Sequence, residues 1–277
     1  MTRPTMSIIT VNYNNNQGLI QTLESVKKQT FPSYEHIIID ASSTDGSVDT
    51  ILKYSKETSQ LTYWVSEKDS GIYDGMNKGI RHASGEYLYF LNSGDCLTDD
   101  ILSQIPFDGT KYIYGNIEFI TTQYRWTWKY PDTFSTAFLL DAENGWISQQ
   151  ACFIHHSLFK DELYSTEYKI ISDWIHAMHS IFFKGCSYKH LPLTVALYDG
   201  NGVSSVNREK TLQERAKWMK ENVSPIFLAA FNELQTYKNA DLEFFVPYLN
   251  YSRTFQRRMK ALIPFLLKIH RFFSKKK

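Results

Sequence analysis

Four apolar runs in the first hundred residues each end in groups that can hold a ligand. Val11, Asn12, Tyr13 and Asn14 close the run that begins MSIIT, and Asp40 and Ser42 follow HIII. Glu67 and Asp69 follow LTYWV, and Asn92, Ser93, Gly94 and Asp95 follow EYLYFL. A turn is closed equally well by Gly, Pro or Lys, so carboxylates and amides at every ending point beyond turn chemistry. Tyr13 offers a ring face to a base, Asp40 a carboxylate to ribose or base edges, and Asp95 an oxygen to a hard cation. Mg²⁺ or Mn²⁺ takes only one or two protein carboxylates when phosphates fill the rest of its shell, so a single aspartate suffices. These groups together suit a nucleoside diphosphate and its cation.

Other chemistries find less support. No GxxxxGK[ST] loop and no GxGxxG follow the first run, which disfavours a P-loop nucleotidase and a dinucleotide dehydrogenase. A GxSxG elbow is also missing, which argues against a serine hydrolase. His176 and His179 lie three apart and His155 and His156 are adjacent, too few for a zinc site that needs three or four ligands.

The elements that must position these endings alternate at short spacing. MSIITVNY, HIIIDASS, LTYWVSE and EYLYFLN read as buried strands of a parallel sheet. Between them, LIQTLESVKKQ, a segment through Ile51 and Leu52, and YDGMNKGIRHASG read as helices, the last closed by Gly85 at its C-terminal position. Beyond residue 100, KYIYGNIEF and YRWTWKY read as a strand pair with exposed aromatics. A helix from the N-cap Ser172 through SDWIHAMHSIFF and a strand YKHLPLTVALYD follow. From about residue 207 the composition is helical.

With 277 residues and 43% hydrophobic content, the chain can bury one sizeable core plus an appendage. The net charge of +1 conceals a division: nine of the 30 basic residues fall within 251–277, where there is no acid, leaving 21 against 29 acidic residues elsewhere. In that tail Phe255, Met259, Leu262, Leu266, Ile269 and Phe273 form one apolar stripe opposite Arg257, Lys260, Lys268, Arg271 and Lys275. Such a helix suits the surface of an anionic leaflet, and the acidic body weighs against nucleic acid. Cys96, Cys152 and Cys186 form no CxxC pair and are expected as core thiols in a reducing compartment. The first residues lack the apolar stretch of a secretory signal, and no run approaches the roughly 18 apolar residues of a membrane span.

Several of these segments, in this order, resemble the family 2 inverting glycosyltransferases of GT-A fold, in the branch that builds bacterial O-antigen and capsule. The resemblance rests on TVNYNN (10–15), SVKKQTFPSYEHIIIDASSTDGS (25–47), SEKDSGIYDGMNKGI (66–80) and GEYLYFLNSGD (85–95), nearly all of residues 6–100. It implies an α/β fold, a mixed sheet flanked by helices with a C-terminal helical extension. The catalytic domain spans 1–205, with a nucleotide-sugar half (1–100) and an acceptor half (101–205), and the extension spans 206–277. It also implies a donor, a UDP-sugar above all, held by Val11, Asn12, Tyr13, Asp40, Asp69, Lys78, Asn92, Ser93 and Gly94. Mg²⁺ or Mn²⁺ is held at Asp95, while Ser93 stands where the family's DxD-like element has its first aspartate. GWISQQACFIHHSLF resembles the family segment that ends in a glutamine, here Gln150, and with Trp174 it is expected at the acceptor. ISDWIHAMH resembles the element that supplies the base, which maps onto Asp173, where a helix N-terminus favours the ionised form.

The expected activity is metal-dependent transfer of a hexosyl or N-acetylhexosaminyl group, with inversion, to a glycan or polyprenyl-linked acceptor in cell-surface polysaccharide synthesis. The expected location is the cytoplasm, at the inner face of the membrane, with residues 253–277 as the peripheral contact. A sugar-nucleotide nucleotidyltransferase and a non-catalytic sugar-nucleotide or glycan-binding scaffold are the alternatives.

Overall fold

A computed structural model describes residues 3–121, 123–135, 138, 145–200 and 207–239, with side chains to 233. The basic tail therefore lies outside the described residues. The chain forms two compact units, 1–222 and 223–277. Within the first unit the helix at 208–222 packs on the rest: Trp218 meets Trp174 edge-on, with ring centroids 5.1 Å apart.

The first unit is built on one nine-stranded sheet. Strands β1 (Met6–Asn12), β2 (Tyr34–Asp40), β3 (Leu61–Ser66), β4 (Tyr87–Phe90), β5 (Cys96–Leu97), β6 (Tyr112–Ile120), β7 (Arg125–Trp128), β8 (Cys152–His155) and β9 (Tyr188–Asp199) run in the order β3-β2-β1-β4-β8-β6-β9-β5, with β7 paired to β6. The β3-β2-β1-β4 portion is parallel, and β8 joins β4 antiparallel, so the sheet is mixed. Helices α1 (Asn16–Lys27), α2 (Ser47–Glu57) and α3 (Ile72–His82) connect the parallel strands. The second half adds α4 (Ser172–Ala177), which runs into a π-helical turn at Met178–Phe183, and α5 (Arg208–Asn222). In the second unit the described residues form α6 (Pro225–Asn239).

Continuous apolar character in β1, β2 and β4 follows from burial on both faces. On one face Ile9, Val11, Ile37, Ile39 and Phe90 pack with Tyr73, Met76 and Ile80 of α3. On the other, Ile38 packs with Leu19, Leu23, Ile51 and Tyr54 of α1 and α2. Gly79 lets α3 approach closely, since a Cβ there would overlap the Ile9 side chain. Of the three cysteines, all free, Cys152 is buried and Cys96 and Cys186 are partly so.

Two expected capping roles are replaced. The last turn of α3 ends at Ala83 in extended backbone, and Gly85 sits further on, where a Cβ would collide with the backbone of Met6 and Ser7. Its requirement is therefore close approach to β1 rather than helix termination. Ser172 is the first residue of α4, not its cap; Ile171 occupies that position and the Ser172 hydroxyl is buried without a partner.

Candidate active site

The parallel register aligns the strand endings along one rim. Asn12 stands opposite Asp40, and Asp40 opposite Ser66. Asn12 Nδ2 donates to Asp40 Oδ1 at 2.7 Å, joined there by Ser43 Oγ at 2.6 Å. Ser43 N at 2.9 Å and Ser66 Oγ at 2.6 Å donate to Oδ2. Burial raises the proton affinity of this carboxylate, but donors from Ser43, Ser66 and Asn12 outweigh that and hold it below the ordinary range. With no exposed surface and four donors in place, Asp40 organises the rim from beneath.

The asparagine run stitches α1 to its neighbours. Asn14, at φ 45°, donates its N–H to Ser43 Oγ and accepts from Thr44 N. Asn15 caps α1 by accepting from Gly18 N, and its Nδ2 donates to Ser93 O at 3.0 Å. Just before them Tyr13 is 66% exposed, an open ring at the lip of the rim. Val11 lies beneath, and its carbonyl accepts from Ser93 N. The Asn92–Asp95 turn needs a φ of +104° at Gly94. Thr22 pins it to α1 by accepting from Gly94 N at 3.0 Å and donating to Asp95 O at 2.7 Å. Asn12 Oδ1 and Asn92 Oδ1 are buried with no partner, and such acceptors call for a donor from elsewhere.

Asp69 closes the rim from the β3 side. Its Oδ1 accepts from Gly71 N at 3.0 Å, and its Oδ2 would lie 3.2 Å from a Cβ at Gly75, beside Val11. Burial raises its pKa, opposed by the Gly71 N–H and the Lys78 charge. Lys78 Nζ pairs with Glu67 at 2.8 Å and donates to Lys68 O, so it holds this loop in place.

Asp95 is 5% exposed. Gln150 Nε2 donates to its Oδ2 at 2.8 Å and Asp199 N to its Oδ1 at 3.0 Å. Burial pushes its pKa up to about 7; the two donors oppose this and the Asp199 carboxylate adds to it. A buried, underneutralised carboxylate with a second one nearby is an oxygen donor set that fits Mg²⁺ or Mn²⁺. Among the described residues no three His, Cys, Asp or Glu side chains gather that could hold a metal. The fit is therefore to a cation that brings phosphate oxygens with it. A cleft of about 990 Å³ reaches this point from the α1 side, bordered by Ile20, Gly94, Leu97, Tyr198 and Asp199.

Asp173 stands in the first turn of α4, and its Oδ1 accepts from Tyr73 Oη of α3 at 2.7 Å. Burial raises its pKa, against the Tyr73 hydroxyl, the Trp174 N–H and the Arg215 charge. The expected stabilisation of the anion by a helix terminus is thus overridden, because α4 is only six residues long and desolvation dominates. One 3-10 turn, Gln149–Ala151, sends Gln150 to Asp95, while Gln149 Nε2 donates to Tyr164 Oη at 2.8 Å, a ring that packs on Tyr73.

The two residues expected at the acceptor both make internal hydrogen bonds. Gln150 spends both ends of its amide internally, on Asp95 and on Ser148 Oγ at 2.9 Å. Trp174 is 5% exposed, donates its indole N–H to Gly145 O at 2.8 Å and packs under Arg215, so it is a core residue. Tyr73, Ser43, Ser66 and Asp199 touch the site but carry no mark in the sequence that sets them apart from helix, loop and strand residues. An exposed aromatic on the hairpin was foreshadowed by YRWTWKY: Trp126 is 43% exposed and stacks on Phe119, which meets Trp146 edge-on.

The family model described as glycosyl transferase family 2 matches residues 7–163, more than half of the chain, which therefore belongs to that family. Within it, an uncharacterised glycosyltransferase of Mycobacterium tuberculosis is 43% identical over 103 residues, 36% of this chain and 38% of that protein. The chain thus matches less than half the length of that relative. A PGL/p-HBAD biosynthesis glycosyltransferase of Mycobacterium bovis is 26% identical over 223 residues, 78% of this chain and 85% of that protein. The putative teichuronic acid biosynthesis glycosyltransferase TuaG of Bacillus subtilis is 35% identical over 102 residues, 37% of this chain and 40% of its own. Among solved structures, Staphylococcus aureus TarS 1–349 in complex with UDP superposes with a TM-score of 0.57 at 16% identity, covering 92% of this chain and 77% of that one. The mannosyltransferase PcManGT of Pyrobaculum calidifontis, in complex with GDP-Man and Mn²⁺, gives 0.60 at 14% identity, covering 98% and 83%. The fold is GT-A.

Proposed function

We propose metal-dependent, inverting transfer of a hexosyl or N-acetylhexosaminyl group from a nucleoside-diphosphate sugar, a UDP-sugar first, to a glycan or polyprenyl-linked saccharide of the bacterial cell surface. The observation that carries this reading is the pair of carboxylates at the rim, buried Asp95 held by Gln150 and half-buried Asp173 held by Tyr73. The rim of Val11, Asn12, Tyr13, Asp69, Asn92, Ser93 and Gly94 holds the donor, with Asp40 beneath and Lys78 fixing the Asp69 loop. Tyr13 stacks on the base, and the unpaired acceptors of Asn12 and Asn92 take donor N–H or hydroxyl groups. Asp95, with Asp199 beside it, would hold Mg²⁺ or Mn²⁺, which when bound offsets the charge developing on the departing diphosphate. Asp173 takes the proton of the attacking acceptor hydroxyl, a role suited by desolvation that raises its proton affinity.

Aromatic rings on β7 and nearby, Trp126 above all, are the surface on which an acceptor sugar stacks. The stripe within 253–277 supports peripheral contact with an anionic leaflet, which would concentrate a lipid-carried acceptor. No helix among the described residues is long and apolar enough to cross a membrane. The test is a panel of UDP- and GDP-sugars with Mn²⁺, followed by release of the nucleoside diphosphate. Turnover supports transfer. Pyrophosphate formed from nucleoside triphosphate and sugar phosphate would support a nucleotidyltransferase instead, and binding without turnover a scaffold.

A further inference from the structure

Tyr73 is the second residue of α3, whose preceding Gly71 donates to Asp69 on the donor rim. It is 6% exposed, and its hydroxyl lies 2.7 Å from Asp173 Oδ1 and 2.7 Å from the Ile170 carbonyl. A phenol has one proton, and both of those neighbours are acceptors. The proton can therefore satisfy only one of them at a time, and the charge on Asp173 decides which. Toward a carboxylate the hydrogen bond is charge-assisted and the stronger of the two. Toward a neutral carboxyl that advantage is gone; the proton turns to Ile170 O, and the phenol oxygen becomes free to accept from the Asp173 carboxyl O–H.

Resting on the reading of Asp173 as the base, we propose that Tyr73 is its positioning residue, with a phenolic O–H that turns between Asp173 and the Ile170 carbonyl as the base loses and gains a proton. No bond between heavy atoms changes and no proton is consumed; the rotor lets one side-chain geometry serve both states of the base. The other groups facing Asp173 are Tyr164, Tyr112 of β6, Cys152 of β8 and Arg215 of α5. Burial holds the two phenols and the thiol neutral well above physiological pH, and an arginine stays charged, so none of them titrates where Asp173 does. The contact also ties the base to the loop that carries Asp69.

The experiment compares wild type, Tyr73→Phe, and Tyr73 replaced by 3-fluorotyrosine, a more acidic phenol and a stronger donor. The Asp173 carboxyl is followed by ¹³C NMR titration and assigned by its loss in Asp173→Asn, alongside pH profiles of kcat and donor Kd. Expected are a titration midpoint and acidic limb that move to higher pH in Tyr73→Phe and to lower pH with fluorotyrosine. A fall of about tenfold in kcat on the acidic limb, with donor Kd unchanged, should accompany Tyr73→Phe. An unmoved Asp173 midpoint in both variants overturns the proposal, as does an equal loss of kcat at every pH. Full transfer by Asp173→Asn would defeat the base assignment alone, because the NMR comparison reads the Tyr73 contact without turnover.

Discussion

Two parts of the rim bury aspartates and treat them in opposite ways. At the end of β2, Asp40 has no exposed surface, yet four donors surround it and its pKa falls. At the end of β4, Asp95 is as deeply placed but has two donors and a neighbouring carboxylate, and its pKa climbs to about 7. Asp173 shares only the direction: Tyr73, the Trp174 N–H and the Arg215 charge favour its anion, yet desolvation still raises its pKa. Burial alone therefore does not set a carboxylate's proton affinity; the balance between desolvation and the donors supplied does. Asp40 is a finished structural network, whereas Asp95 and Asp173 are left needing a cation and a proton.

The largest effect that sharpens this contrast is expected at Asp173. Asp173→Asn should lower kcat by about a thousandfold while donor binding persists, as loss of a general base does. Steady-state kinetics with a donor titration checks both halves, and a variant with near-normal kcat would break the comparison. Next comes Asp40→Asn, which exchanges a carboxylate with four donors for an amide whose N–H₂ faces donors. It should cost about 2 kcal/mol of stability by urea unfolding. Asp95→Asn, by contrast, should leave the cation-free protein at least as stable as wild type near pH 8.

That difference carries a pH signature. The folded pKa of Asp95, about 7, lies above its unfolded value of about 4, so between those limits the folded state binds the extra proton. Cation-free stability should thus decline as pH rises from about 4 to about 7 and level off above, and Asp95→Asn should remove the decline. Asp40 has the opposite sign: its folded pKa is depressed, so its contribution is present above the unfolded value and is lost as pH falls through the folded one. Urea unfolding at a series of pH values reads both. The smallest effect is at Tyr13, where Tyr13→Ala should weaken donor binding by about tenfold, the scale of one stacked base, without altering stability.

The donor half of the fold was legible because its rules are local. Apolar runs bounded by polar endings gave four parallel strands, and the parallel register brought Asn12, Asp40 and Ser66 side by side. What those endings do was less legible. Asp40 reads as a ligand carboxylate until Ser43 and Ser66 are seen to occupy it. In the second half, direction mattered more than type. Gln150 faces Asp95 and Trp174 faces α5 because packing across β8 and α4 aims them, and no spacing in the chain encodes that aim. Tyr73 was hidden in a helical motif, since its partner lies a hundred residues away. Gly85 was misread because a close approach between backbones and a helix terminus both ask for glycine.

The most direct measurement is titration calorimetry of Mn²⁺ with whichever nucleotide sugar turns over, on wild type, Asp95→Asn and Asp173→Asn, near pH 8. Wild type and Asp173→Asn should bind the sugar nucleotide in a Mn²⁺-dependent way, whereas Asp95→Asn should lose that dependence while remaining folded. Equal Mn²⁺-dependent binding by Asp95→Asn would contradict the assignment of the cation to the end of β4.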